Sequence, residues 1–542
     1  PTIAVATNGG VSVIKDDGTV VDSSTTNSIT TVSFLDNNYL VCSGGTTIQT
    51  FHVYESNGFS SYKTYTATGS IPAIGNINDH ISAVSLNGTR FAKFSNHPEH
   101  CLAIVEEDVT VSTNGSVAYI NPEYNTGHMV GDIKLATLCD TDTTPISAVQ
   151  YITGDSSTFT NGIGIWTGDI TATGGVGVVD ISATNTEAKY VFPAGVLTEG
   201  VTYSLSFDLS ITSGTPSMMS LLGVNTIYLS SIAAGSHSFT FTASADTANG
   251  TNSSAALMFF GTGAVYSIDN VQVSSGTLPD RSANQNSLTV KGELDRTPVA
   301  TGADLVAYSG FSSSNYLEQP YNSDLDITGS LSICYWIKGG SSSQSLMGLG
   351  SGTRYSEQSW HIYHDGGSDY RLTLHSNGTT EQQYEIADAV GSANWQYVCW
   401  TLSGGIVKGY LNGVEKSSAA FSGTLTTQSS TQNTLKVGTS SVSSAGHSGS
   451  LALLRISATA PTAEQIAKIY EDEKVLFQEN AKATLYGTYH DVKSLAYDDD
   501  TNLLHVGTQS GRSVFQGLAR VTNTTTPVSA AISASNGLVV ED

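Results

Sequence analysis

Apolar and polar residues alternate along most of this chain in short runs, broken by Asn-Gly, Ser-Gly, Gly-Gly or Asp-Asn pairs. A period of two places successive side chains on opposite faces of a strand, and the paired turn residues supply the positive φ of tight hairpins. The stretch from Thr2 to Gly18 reads strand, Asn-Gly turn, strand, and Ser494 to Gly517 repeats that rhythm near the other end. Ala530 to Glu541 echoes it again. Residues 1–150 and 477–542 are therefore expected to form one β-propeller-like body, about five blades at about 40–45 residues each, with its first and last strands paired.

Between these ends the rhythm changes twice, which predicts two inserted β-sandwich (jelly-roll) modules and an all-β fold overall. The first, residues 155–276, contains the cleanly alternating runs Thr202 to Thr212 and Gly235 to Ala245. Pro, Asn and charged residues over 277–302 mark a linker with one short strand. The second module spans 303–460. A short helix follows over 461–476, where Pro461 precedes an amphipathic run with Ile466, Ile469 and Tyr470 on one face.

Composition narrows the function. With 47 Asp plus Glu against 22 Lys plus Arg, the formal charge of −25 repels nucleic-acid phosphates. No apolar run is long enough to span a bilayer, and no signal peptide is expected. The five cysteines show no C-x-x-C spacing and are expected to be reduced, packed thiols, with Cys334 and Cys399 placed to sit close in one module.

The second module carries the clearest landmarks. Ser332-Ile-Cys-Tyr-Trp-Ile337, the strand from Trp395 to Trp400, the hairpin Gly409-Tyr-Leu-Asn-Gly413, the strand from Gly449 to Ile456 and the helix from Thr462 to Tyr470 occur in order. They resemble the concanavalin A-like lectin/glucanase superfamily in its laminin-G-like form. Asn121 to Thr143 and Tyr470 to Gly487 resemble segments of tail-associated appendage proteins of marine tailed bacteriophages. Tyr266 to Val273 resembles the closing strand of carbohydrate-binding jelly rolls, in which an acidic residue, here Asp269, helps hold a structural calcium. Asp365 and Asp369, flanking a Gly-Gly turn, are further calcium candidates, and no other cofactor is expected.

Hydrolytic members of the superfamily carry two glutamates and an aspartate on one strand, one group protonating the leaving oxygen and another attacking or activating water. Here Glu381 and Glu385 lie four apart without a central Asp. Gly446 to Ser450 lacks the last glycine of a nucleophile elbow, and no phosphate loop or H-E-x-x-H occurs. His128 and Asp132 lack a third ligand. Catalysis is not expected. Sugar recognition needs aromatic faces and polar side chains, and the candidates are Trp360, Tyr363, Tyr355 and His361 in the second module and Trp166 and Tyr190 in the first. Trp336 and Trp400 are expected in the core. The expectation is a structural virion protein of a phage tail, assembled in the host cytoplasm, whose partners are other tail proteins, copies of itself and host-surface polysaccharide. The alternative is a purely architectural nozzle, hub or decoration protein, with a polysaccharide depolymerase less favoured.

Overall fold

The computed structural model describes 114–525 except 183–186, 194, 198–201, 223–226, 245–255, 262, 283, 320, 351–357, 367–368, 377–379, 388–390, 426–433 and 442–444. Before that it describes 3–7, 9–23, 29, 31–34, 39–44, 50–55, 58–66, 83–86, 90–94 and 102–106, and after it 533–535 and 538–540. The fold is mostly β-sheet, in several open antiparallel sheets.

The terminal regions do not close into a propeller. Among the described residues, Ile3–Thr7 pairs only with Gly10–Ile14 and Leu538–Val540 only with Ser533–Ser535, and no ladder joins them. Alternation with tight turns specifies local hairpins but not which hairpins share a ladder. The sheet containing Leu102–Glu106 and Ser116–Ile120 packs instead with the four-stranded sheet Val492–Thr524 around one core, which includes Ile104, Tyr119, Val506 and Phe515.

The first inserted region has a six-stranded and a five-stranded sheet that stay separate and open, without jelly-roll closure. Their inner faces share a core containing Trp166, Tyr190, Phe207, Phe259 and Tyr266. Val149–Gln150, assigned by sequence to the terminal body, pairs here with Val265–Ser275.

The second region holds a nine-stranded and an eight-stranded sheet, again both open. The expected linker is part of them: Leu288–Lys291 pairs with Tyr316–Gln319, and Glu293–Pro298 with Val306–Ser309. Its Leu288, Val290 and Leu294 are buried between the sheets, which a turn-rich reading overlooks. Ile133–Thr137 adds to the Ser450–Ser457 strand. Trp400, Ile333, Tyr335 and Ile337 fill the space between the sheets, while Trp336 points to the other side, as the period of two requires. Cys334 and Cys399 are directly opposed on neighbouring strands, Cα atoms 4.1 Å apart, and are joined as a disulfide, correcting the expectation of reduced thiols. Cys42 and Cys139 are buried free thiols.

The helix Ala463–Glu473 fastens this module to the terminal sheets. Thr462 caps it in a reciprocal capping box with Gln465. At its last residue Glu473 is fully buried and meets Arg455 in a two-pronged pair, Nη2 to Oε2 3.0 Å. The Trp336 indole N–H donates to Oε2 at 2.7 Å, and the His128 backbone N–H donates to Oε1 at 2.9 Å. Gly127 has φ +62°, and a Cβ there would overlap both Arg455 and Glu473. His128, which the sequence leaves as a loop residue, is buried with Nε2 3.1 Å from Asp472. Burial works against the Asp472 charge, but the bonds from His128 and Lys468 outweigh it and hold its carboxyl below the usual range. Among the described residues no helix is long and apolar enough to cross a membrane.

Candidate functional site

The outer face of the eight-stranded sheet follows from register. His361, Thr373 and Gln383 stand opposite one another across three strands, and so do Tyr363, Arg371 and Glu385. Directly opposed residues share a face. The next residues along each strand, Trp360, Ile362, Leu372 and Leu374, point inward to the core. Continuing the His361 row the other way leads through Gly348 to Lys436, Glu318 and Thr289.

Polar contacts organise this face. The His361 and Tyr363 rings stack 4.9 Å apart and 11° from parallel, and His361 Nε2 lies 2.9 Å from Ser345 Oγ. Burial, with His375 adding to it, pushes the His361 pKa down to about 3, so the ring is neutral. Arg371 sits at the centre: Nη1 donates to Gln383 at 3.2 Å, and Nη2 reaches Asp365 at 2.9 Å and Glu385 at 3.4 Å. Gln383 in turn donates to Glu381 at 2.6 Å. The position between the two glutamates thus holds a neutral amide, and both glutamates are engaged by their neighbours.

The sequence candidates fare differently. Tyr363 and His361 come together on this face, with Tyr363 half-buried and His361 buried. Trp360 is 2% exposed and belongs to the core, so it has no free face for a sugar. Its position beside a polar loop suggested a surface ring, whereas its place in the strand turns it inward. Trp166 and Tyr190 are likewise core residues: their rings pack 5.4 Å apart, and the Trp166 indole donates to Ser156 O at 2.7 Å. Tyr355 lies outside the described residues. Truncating Trp360 to Ala is expected to destabilise the protein by about 3 kcal/mol, as loss of a buried aromatic does; chemical denaturation measures it.

The calcium candidates also separate. Asp365 is held by Arg371, whose positive charge disfavours a cation there. Asp369 closes the turn, its N–H 3.4 Å from Asp365 Oδ1 and its carbonyl accepting from Asp365 N at 3.2 Å. Asp269 accepts from Asn270 N at 2.8 Å and stands opposite Asp208, which accepts from the Asn270 amide at 2.8 Å. Two carboxylates fall short of the six to eight oxygens that calcium takes. No group of three or more His, Cys, Asp or Glu side chains able to hold a metal occurs among the described residues. Arg371 and Gln383 are the site residues that sequence reading missed; the signal for Gln383 was its same-face alternation with Glu381 and Glu385, whereas Arg371 joins only through register.

No curated protein matches the chain. Solved structures similar to part of the chain include domain 4 of AbnA, a GH43 extracellular arabinanase from Geobacillus stearothermophilus, in complex with arabinotriose, at 18% identity over 33% of this chain and 82% of that one, TM-score 0.27. The heptameric SAP-like pentraxin from Limulus polyphemus is 16% identical over 27% and 71%, TM-score 0.22. The CBM40 of Ruminococcus gnavus IT-sialidase bound to alpha2,3 sialyllactose is 16% identical over 27% and 85%, TM-score 0.23. Residues 311–467 match the Concanavalin A-like lectin/glucanases superfamily, and the chain therefore carries a lectin-like module of this kind.

Proposed function

We propose that this chain attaches to surface glycans through the outer face of its lectin-like module and does not cleave them. The observation that carries the reading is the row of stacked and polar side chains from Tyr363 and His361 through Arg371 and Gln383. An aromatic ring offers a face to a sugar ring, and guanidinium and amide groups bond its hydroxyls. The absence of hydrolysis is supported by Gln383, a neutral amide between Glu381 and Glu385 where the glucanase pattern has an acid. The finer reading is a structural virion protein of a phage tail that displays this module to its host. Its support is the sequence resemblance of Asn121 to Thr143 and Tyr470 to Gly487. Single sugar sites are weak, so attachment gains from several copies engaging together.

A glycan array and a host-cell pull-down with the full chain, alone and multimerised, test this. Tyr363→Ala is expected to weaken binding about tenfold, one aromatic contact's worth, with little change in the melting temperature. No binding in either form removes the attachment reading. Release of reducing sugar removes the non-hydrolytic part.

A further inference from the structure

A groove of about 680 Å³ lies where the Leu331–Lys338 strand, the start of the Gln396–Ser403 strand and the end of the helix meet, away from the outer face described above. Its floor is aromatic. Trp336 and Phe477 stack 4.1 Å apart, Tyr470 lies 5.8 Å from Trp336 and 22° from parallel, and Trp395 lies 5.0 Å from Phe477. The Trp395 indole is fixed by donating to Val299 O at 2.8 Å, and its ring stays half-buried. On the rim stand Lys338, Asn394 and Glu479, all exposed. Their side chains carry no hydrogen bond or ion pair among the described residues, whereas Lys408, Lys468 and Lys482 are each paired with a carboxylate.

We propose that this groove is a second ligand site, for a short neutral oligosaccharide. Ligand sites occupy about 300–1,000 Å³, and they combine apolar or aromatic walls with a few polar groups. A sugar hydroxyl both donates and accepts. The rim matches that need, since Lys338 donates, Glu479 accepts and Asn394 does both. Lys474 also lines the groove but is paired with Glu471, so the opposite charges of Lys338 and Glu479 leave no unpaired excess of either sign to select an ionic sugar. A peptide bound by strand addition needs an open sheet edge. Leu331–Lys338 has ladder partners on both sides, and Pro298, where the Glu293–Pro298 strand reaches the groove, has no N–H to give to an added strand.

The test uses the full chain carrying Tyr363→Ala, so that the outer face and the groove are separated. Titration calorimetry and tryptophan fluorescence with maltotriose, cellotriose and xylotriose at millimolar concentration are expected to show saturable binding of at least one. Trp395→Ala is expected to weaken it about tenfold, equivalent to about 1.4 kcal/mol. Asn394→Ala and Glu479→Ala, at exposed positions that leave the fold intact, are expected to weaken it as well. Failure of all three sugars to bind overturns the proposal, as does binding unmoved by every rim variant. Tighter binding of trigalacturonate than of the neutral trisaccharides overturns the neutral assignment. Glycan attachment weakened by Tyr363→Ala, with groove binding unchanged, shows that the two sites stand independently.

Discussion

Lowering the pH from about 6.5 to 5 is expected to destabilise the lectin-like module steeply, by about 1.4 kcal/mol per pH unit for each buried histidine that stays neutral. His364 and His447 are fully buried, with rings 5.3 Å apart and edge to face. Burial pushes the His364 pKa down to about 4, although Ser341 O and Asp365 act to raise it. Burial, with His364 adding to it, pushes His447 down to about 3. In the unfolded chain both titrate near 6.5. The native state gains nothing by protonation until the pH approaches the lowered values, while the unfolded state takes up protons from about 6.5 downward. Stability is therefore full above about 6.5 and is lost as the pH falls toward 4. Thermal unfolding at pH 7, 6 and 5 measures the slope, and a range above 5 keeps ordinary carboxylates ionised. The His364→Gln, His447→Gln double variant is expected to reduce it, leaving the part due to His361, which burial also keeps neutral. Equal slopes for variant and wild type would assign the acid sensitivity elsewhere.

The two histidines illustrate how unevenly the sequence exposes its own structure. Elements set by neighbouring residues were legible. The alternation Ile333, Tyr335, Ile337 against Cys334, Trp336 fixes two faces, and the structure keeps both sets apart in different cores. Asn412 and Gly413 take the expected positive φ of +51° and +78°. Thr462 caps the helix that follows Pro461. What failed depended on partners far away in sequence. Trp360 reads equally well on either face until the strand beside it is known, and that strand enters with bulges at Ser345/Met347 and Leu349/Gly350. The terminal hairpins have the period of propeller strands, yet ring closure requires a ladder between Ile3–Thr7 and Leu538–Val540 that is absent among the described residues. The candidate site was half visible: Tyr363 and His361 were named as aromatic rings, but Arg371 joins them only through antiparallel register.

Removing the Glu473 side chain with Glu473→Ala is expected to cost about 3–5 kcal/mol, the range for breaking a buried ion pair by deleting one partner. The reason is what remains. Arg455 is 4% exposed, and a guanidinium does not shed its proton, so its charge would stay buried without a counter-charge. The Trp336 indole N–H and the His128 backbone N–H lose their acceptor at the same time. These donors lie 137 and 345 residues away in sequence, so the loss strikes the junction between the lectin-like module and the terminal sheets. The first inserted region keeps a separate core around Trp166, Phe207 and Tyr266 and does not draw on Glu473. Calorimetry is therefore expected to show one transition moving to lower temperature while another stays in place. Replacing both partners, Arg455→Met with Glu473→Leu, removes the orphaned charge and is expected to recover most of the lost stability. A double-mutant cycle over these four proteins gives the coupling directly. If the double variant is as unstable as the sum of the single changes, the pair acts as two independent packing residues and not as the electrostatic clamp of the junction.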